Sequence, residues 1–505
     1  MLSKITSFAL NGIEGIPVEV ETDINKGMVA YDLVGLPDAA VKESKERVRS
    51  AIKNSAMRFP VNKITVNLAP ADVKKEGSQY DLPLAVSILK ASDQLAADCD
   101  YVFLGELALD GALRPVTGIL PVLISARDRG FEKFVIPAAN ANEASYIAGI
   151  EVYALSSLSE VVAFLTGEKQ FAPVKPRSFS VAAASRSYNS DMSFVRGQKA
   201  AKRALEIAVA GGHNILLYGP PGTGKTMLAR CIPTIMPDLT FEEALEVTKI
   251  HSVAGELGDE GIVTLRPFRT PHHTATAVSL CGGGSTKIRS GEASKAHKGV
   301  LFLDELPEYS RHALECLRQP LEDGVITVTR AGGAVTFPAD FILCASMNPC
   351  PCGNYGSASR ECSCTPAQIH KYKSKVSGPL LDRIDLHVEV DGVSYDDFIS
   401  DEREETSAEI KERVERARAV QRERLDGEGM DVNAGMGERQ VKKYCRLSAE
   451  CEDILKNAFE TLNLSARARS RIIKVSRTIA DLDFSENIRP EHILEAVSYR
   501  SGDLK

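Results

Sequence analysis

None of the 505 residues belongs to an apolar stretch of the roughly 20 residues that a membrane-spanning helix needs. The start, Met1-Leu-Ser-Lys-Ile-Thr-Ser-Phe8, also lacks the charged-then-apolar pattern of a signal peptide. These two absences make a cytoplasmic protein without a membrane role the expectation. A paired set of cysteines is missing too, because eleven is an odd number, and a disulfide framework is not expected in such a chain. Nor is there an excess of positive charge. The net charge of −7 argues against indiscriminate nucleic-acid binding, yet leaves room for a local basic surface, since the contacting face sets the field. What remains is ordinary: 44% hydrophobic and 26% charged residues are the proportions of a soluble globular protein. The length is enough for two to four domains, each with its own core.

The strongest local signal is Asn214-Ile-Leu-Leu-Tyr-Gly-Pro-Pro-Gly-Thr-Gly-Lys-Thr226. It reads as a short buried strand (Ile215 to Tyr218), a glycine-rich turn and the start of a helix. Gly219, Gly224, Lys225 and Thr226 fit the phosphate-binding pattern G-x-x-x-x-G-K-[ST]. Glycines let the backbone of Gly219, Pro220, Pro221, Gly222, Thr223 and Gly224 curl until its N–H groups point inward. The helix that follows adds its positive end. Lys225 would reach the β- and γ-phosphates of ATP, and the Thr226 hydroxyl would hold Mg²⁺. A Gly-Pro surface turn is the plain alternative, and the strand before and helix after it argue against that. Downstream, Gly299-Val-Leu-Phe-Leu-Asp-Glu305 is an apolar run ending in two acids, as suits a central parallel strand. Asp304 would help hold Mg²⁺, and Glu305 would orient and polarise an attacking water. Phe341 to Asn348 is a third such strand, whose terminal Asn348 is placed to sit between water and γ-phosphate.

Residues 1–168 alternate strand and helix. Strand patterns occur at Ile16 to Glu21, Lys63 to Leu68 and Lys133 to Pro137; helical ones at Ala39 to Asn54, Leu82 to Ala91 and Ile119 to Arg129. Gly105 to Gly118 reads as a hairpin turning at Asp110-Gly111. Residues 169–190 have linker composition. Val195 to His213 reads as a helix leading into the nucleotide strand. From Val393 the chain turns helical and charged: Asp396 to Leu425 is expected as a solvated helix, with acids first and bases later. Ser465 to Leu482 has a core stripe, and a final helix after Arg489-Pro490 is expected to turn Ile493, Leu494 and Val497 inward.

Gly219–Thr226, Asp304-Glu305, Asn348, Ser377-Gly-Pro-Leu-Leu-Asp-Arg383 and Ser465-Ala-Arg467 together resemble the AAA+ ATPases. The resemblance implies that Asn348 senses the γ-phosphate, that Arg383 is a finger inserted into a neighbour's site, and that Arg467 reaches from a lid. A guanidinium is the group best shaped to neutralise a developing γ-phosphate. The local alternative for Arg383 is an ion pair with Asp382 or Asp385. A finger acting in trans requires an oligomer, most simply a ring. Arg266-Pro-Phe-Arg-Thr-Pro-His-His273, Met347-Asn-Pro-Cys-Pro-Cys-Gly353 and Ser377 to Leu386 are similar to the magnesium-chelatase-like branch.

The front region resembles the proteolytic domain of Lon-type proteases in element order and in Lys75-Glu-Gly-Ser-Gln-Tyr-Asp-Leu-Pro-Leu-Ala85 and Pro115-Val-Thr-Gly-Ile-Leu120. Aligned on those phrases, the nucleophilic serine falls on Gln79 and its activating lysine on Leu120, and neither can do that chemistry. Ser78 is one place away without an obvious lysine partner. An inactive, recruited scaffold is the expectation. The implied fold class is α/β: an N-terminal Lon-protease-like (ribosomal S5 domain 2-like) domain over 1–168, a linker over 169–190, a central AAA+ parallel sheet with helices on both faces over 191–392, and a C-terminal helical lid over 393–505. This whole-chain arrangement resembles the ComM/YifB group of bacterial proteins. That resemblance implies a homo-hexameric ATPase that binds single-stranded or branched DNA and drives branch migration in homologous recombination, notably natural transformation. Two competing functions stay open: an ATPase subunit that drives magnesium insertion into a porphyrin, and an ATP-dependent protein-remodelling scaffold.

Two segments offer cations to DNA phosphates. Gly324 to Phe337 reads as a hairpin turning at Gly332-Gly333, with Arg330 by its tip; Gly282 to Gly291 is a flexible loop carrying Lys287 and Arg289. Solvated loop charges are the alternative for each. Cys350, Cys352, Cys362 and Cys364 form C-x-C-x₉-C-x-C, four soft ligands able to wrap a structural tetrahedral Zn²⁺, with His370 as a substitute ligand. Reduced thiols packed in a loop are the other reading. His272 and His273 are adjacent and expected to face different ways, which favours subunit or nucleotide contacts over a metal pair.

Overall fold

Alternating residues at the start of the chain build a sheet before any helix appears. The computed structural model describes residues 2–96, 100–179, 188–284, 288–330, 333–356, 360–392, 403–462 and 464–500. β1 (Leu2–Asn11) and β2 (Glu14–Asn25) form an antiparallel hairpin. They join β3 (Ala30–Val34), β4 (Lys63–Ala69), β5 (Val102–Phe103), β8 (Lys133–Pro137) and β9 (Glu151–Leu155) in a seven-stranded mixed sheet of order β3-β4-β2-β1-β5-β8-β9. β6 (Glu106–Leu107) and β7 (Leu113–Arg114) form a separate short hairpin, closed by a turn in which Gly111 adopts φ +89°. Helices Ala39–Asn54 and Asp81–Ala91 bury Val48, Ile52, Leu84 and Ile88 against one sheet face. Helix Ile119–Arg127 buries Leu120 and Leu123 on the other. Residues 169–179 run along this unit instead of hanging free, because Val174 N donates to Val152 O and Arg177 N to Ser145 O.

The second sheet is parallel throughout, with order β11-β12-β15-β10-β16. Its strands are β10 (Ile215–Tyr218), β11 (Phe268–Arg269), β12 (Val300–Leu303), β15 (Ile342–Met347) and β16 (Leu386–Glu389). The period of two divides the core cleanly. Ile215, Leu217, Val300, Phe302, Ile342 and Cys344 pack with helices Lys199–Gly211 and Lys225–Ile235 on one face. Leu216, Leu301, Leu303, Leu343 and Ala345 pack with Leu306, Leu314 and Leu380 on the other. Burial on both faces is why these strands read as unbroken apolar runs. This is a mixed α/β chain with a AAA+-like parallel sheet.

The helix before β10 starts at Lys199, not at Val195. Gly197 and Gln198 have φ +61° and +54°, left-handed values that a helix cannot continue through. Between β12 and β15 the chain forms a two-stranded hairpin, β13 (Val325–Arg330) and β14 (Gly333–Pro338). Arg330 pairs with Gly333, so Gly333 belongs to β14, and Gly332 of the expected Gly332-Gly333 turn lies outside the described residues. The hairpin touches the front unit: a Cβ added at Gly12 would lie 2.4 Å from Val335 Cγ1.

Towards the C-terminus, helix Ser407–Arg424 starts at a Thr406–Glu409 capping box. It is not the fully solvated helix expected from its charge. Ile410, Val414 and Ala417 are buried against the Lys199–Gly211 and Lys225–Ile235 helices, and Arg418 donates to Val209 O. Helix Ala466–Leu482 buries Ile472, Val475 and Ile479 as expected. In the final helix, Pro490–Ser498, Ile493 points inward but Leu494 is 56% exposed, and buried His492 takes the inward position beside it. No described helix is long and apolar enough to cross a membrane.

The front unit and the second sheet's helices meet through a buried carboxylate. Glu143 accepts hydrogen bonds from Leu120 N (2.9 Å) and the Ser252 hydroxyl, and Asn142 Nδ2 donates to Asp259 O (2.8 Å). Burial raises the Glu143 pKa, opposed by those donors. Leu120 is thus fully buried, while Ser78 donates to Glu106.

Candidate nucleotide site

Three parallel strands end side by side, and each delivers one polar group to the same edge. β10 runs into the loop Gly219–Gly224, whose Gly222 and Gly224 have φ +81° and +88°, values only glycine adopts without strain. Lys225 opens the next helix and folds back over the loop. Its Nζ donates to Gly219 O and Pro220 O (2.7 Å each) and reaches Asn348 Oδ1 at 3.3 Å. Burial pushes the Lys225 ammonium down to about 8, with the Asp304 carboxylate opposing. Thr226 Oγ1 donates to Asp304 Oδ2 at 3.0 Å. Lys225, Thr226, Asp304 and Asn348 are therefore gathered at the carboxyl ends of β10, β12 and β15, the place where open α/β sheets hold ligands.

Sequence reasoning missed Ser346. Its hydroxyl, on β15, donates to Asp304 Oδ1, and Glu305 N lies 3.3 Å from the same Oγ. A serine inside an apolar strand is unremarkable by itself; only the pairing of β12 with β15 brings it to Asp304. Ser346→Ala removes this brace and is expected to lower the Mg²⁺ affinity of the nucleotide-bound protein about tenfold, as seen for second-layer ligand supports generally. A Mg²⁺ titration of ATP turnover measures it; an unchanged midpoint rejects the bracing role.

Glu305 has φ +54° and ψ +50°, a conformation unusual for a residue with a side chain and frequent at functional sites. Its carboxylate is 55% exposed and lies 3.5 Å from His273 Nδ1. The rings of His272 and His273 sit 4.0 Å apart, so they share one side instead of facing apart. The alternation rule does not apply because the segment is neither strand nor helix. Beside the loop lies a cavity of about 310 Å³, bordered by Asn189, Asp191, Phe194, Thr226, Met227 and Arg230. Asn189 lies at the end of the expected linker and Asp191 and Phe194 at the start of the expected core, and nothing in their composition marked them as a cavity wall.

Arg383 is buried, not projecting. Its guanidinium donates to Pro379 O (2.8 Å) and to Glu322, and no partner reaches its Nε. Neither Asp382 nor Asp385 is its partner: Asp385 binds Arg471 (2.6 Å) and receives Asn214 N (3.2 Å). Burial works against the Asp385 carboxylate, yet His213 and the Arg471 charge hold its pKa well below the usual range. Glu322, half exposed, is lowered first by Arg383 and also feels Arg467 and Arg471. Arg467 itself is exposed in the first turn of its helix. Arg383 and Arg467 thus share an acidic neighbour in one chain.

Of the cations considered for DNA, Lys287 lies outside the described residues. Arg289 is exposed in a loop whose base is pinned by reciprocal Gly283–Arg289 backbone bonds of 3.0 Å. Arg330 ends β13 opposite Gly333. The four expected cysteines converge, and His370 is exposed and outside their group. All ten described cysteines are free.

Comparison with known proteins matches three stretches of the chain. A family described as "Magnesium chelatase, subunit ChlI" matches residues 191–398, "Subunit ChlI of Mg-chelatase" matches 20–140, and the subunit ChlI C-terminal family matches 404–500. The chain is 44% identical to the uncharacterized protein YifB of Escherichia coli, covering 99% of this chain and 97% of that protein. It is 42% identical to the competence protein ComM of Haemophilus influenzae over the same shares. To the magnesium-chelatase subunit ChlI of Olisthodiscus luteus it is 28% identical, over 30% of this chain and 48% of that one.

Proposed function

The chain belongs to the magnesium-chelatase-like AAA+ family, in the group containing YifB and ComM, and on that footing we propose that it is a Mg²⁺-dependent ATPase that moves branched DNA. The observation that carries the ATPase half is the convergence of Lys225, Thr226, Asp304 and Asn348 on one sheet edge. The donor set fits the cofactor. Adjacent oxygens around Mg²⁺, at about 2.1 Å from the ion, stand about 3.0 Å apart, and Thr226 Oγ1 and Asp304 Oδ2 are 3.0 Å apart. Mg²⁺, when bound with ATP, neutralises phosphate charge there. Lys225 exchanges the loop carbonyls for phosphate oxygens, Asn348 positions the γ-phosphate, and the exposed Glu305 carboxylate orients the attacking water. The cavity beside Phe194 and Met227 takes the base.

Lys225 gives the site a pH signature. Its folded pKa of about 8 lies below the ordinary lysine value of 10.5, so the ligand-free protein loses this proton as pH rises through 8. Phosphate favours the charged form, so ATP binding takes up a proton near pH 8. Affinity is expected to fall between pH 7 and 9, read by calorimetry in buffers of different ionisation enthalpy; a flat profile with no proton uptake argues against it.

Arg383, beside Glu322, is read as acting on a neighbouring subunit's nucleotide, which makes a ring, taken as a hexamer, the working form, while Arg467 is read as reaching from the helical lid. Arg383→Ala is expected to stop turnover alone and to recover part of it when mixed with Lys225→Ala subunits; no recovery contradicts a role in trans. The front unit, with Gln79 and Leu120 where a Lon-type protease would need serine and lysine, is read as a scaffold without proteolysis. DNA enters through ComM, named a competence protein, and through the hairpin that precedes the Asn348 strand. Branch movement on a synthetic four-way junction tests the reading. Stimulation by a porphyrin or by unfolded protein instead favours the chelatase or remodelling alternatives.

A further inference from the structure

Four sulfurs meet just beyond β15 and the Asn348 that follows it. Cys350 Sγ lies 3.4 Å from Cys352 Sγ and 3.7 Å from Cys362 Sγ, and Cys352 Sγ lies 3.6 Å from Cys362 Sγ. With Cys364, all four fall within 4.8 Å of one another. Sulfurs around a tetrahedral ion at about 2.3 Å stand about 3.8 Å apart, so the quartet has the dimensions of a one-ion site. An iron–sulfur cluster, with several metals between its thiolates, needs a wider spread. Backbone N–H groups also aim at the sulfurs: Tyr355 N at 3.3 Å from Cys350 Sγ, and Asn354 and Ser363 towards Cys352. Such donors orient and support metal-bound thiolates.

The two ends of this loop touch the nucleotide site. Gly353, at φ +80°, packs so closely on the phosphate loop that an added Cβ would lie 2.6 Å from Pro221 Cδ. At the other end, Cys364 precedes the Thr365 capping box of helix Pro366–Lys373, whose buried Tyr372 has its hydroxyl close to the Asn348 backbone N–H. A crosslink at the sulfurs therefore holds Gly353 against Pro221 and Tyr372 against Asn348 at once.

We propose that Cys350, Cys352, Cys362 and Cys364 bind one Zn²⁺ as four thiolates, and that this ion fixes Asn348 against the phosphate loop. Four protein sulfurs leave no open position for water, so the ion is structural, and its binding releases the thiol protons to solvent. The coupling to Asn348 rests on the ATPase reading; the metal site does not.

The test uses the full chain purified without chelator under reducing conditions. Elemental analysis is expected to find about one zinc per chain in the wild type and in Lys225→Ala, and almost none in the Cys352→Ser/Cys364→Ser double variant. Retention in Lys225→Ala separates the metal site from the ATPase reading. Protein produced with cobalt in place of zinc is expected to show the visible absorption of a tetrahedral thiolate site. Stripping the wild type with a chelator is expected to raise the KM for ATP about tenfold or more, and zinc alone to restore it, which covers a double variant that fails to fold. Wild-type protein with neither zinc nor a cobalt–thiolate spectrum overturns the site; iron found in its place overturns the metal. Zinc removed from folded protein with KM unchanged overturns the coupling.

Discussion

Lys225→Ala is expected to abolish measurable nucleotide binding. Among the described residues, the ammonium is the only cation bonded both to the phosphate loop, through Gly219 O and Pro220 O, and to Asn348. Each charge-assisted bond to a phosphate oxygen contributes about 1.5–3 kcal/mol. Losing two of them raises the Kd by roughly 10²–10⁴-fold. Folding is not expected to suffer. Burial already disfavours the charged lysine, so its removal relieves a cost in the nucleotide-free protein. Titration with a fluorescent ATP analogue, alongside thermal unfolding without nucleotide, separates the two effects. Affinity within threefold of wild type would remove the lysine from the site.

Glu305→Gln is expected to keep ATP binding and lose turnover by roughly 10²–10⁴-fold, the usual contribution of a positioned base. The amide preserves the side chain's shape, so the left-handed backbone at 305 is unaffected. Because this carboxylate is 55% exposed, its charge adds little to stability. Asp304 is different: it is tied to Thr226 and Ser346, and its loss disturbs the Mg²⁺ site itself. Binding retained with single-turnover hydrolysis near zero is the expected pattern. Wild-type hydrolysis by Glu305→Gln would move the water-orienting role elsewhere, with His273, 3.5 Å away, the nearest group to examine.

The nucleotide edge was legible because each of its parts is local in sequence. Gly219–Thr226 carries its own geometry, and the apolar runs ending at Asp304 and Asn348 carry their burial. What escaped was set by pairing between distant segments. Ser346 matters only because β15 lies beside β12, and residues 189–194 line a cavity only because that segment passes the Thr226 helix. Helix Ser407–Arg424 looked solvated because long charged side chains mask a narrow apolar stripe of Ile410, Val414 and Ala417. Leu494 is the reverse case, an apolar residue placed inward by periodicity but exposed, with His492 buried in its stead. The partner of Arg383 was sought in its immediate neighbours, Asp382 and Asp385, whereas Glu322 comes from 61 residues away.

Steady-state ATP turnover by the purified full chain, with and without four-way-junction DNA, tests the central claim most directly. The proposed function requires Mg²⁺-dependent hydrolysis that junction DNA stimulates severalfold and that Glu305→Gln abolishes in both conditions. Hydrolysis indifferent to DNA, or persisting undiminished in Glu305→Gln, would contradict it.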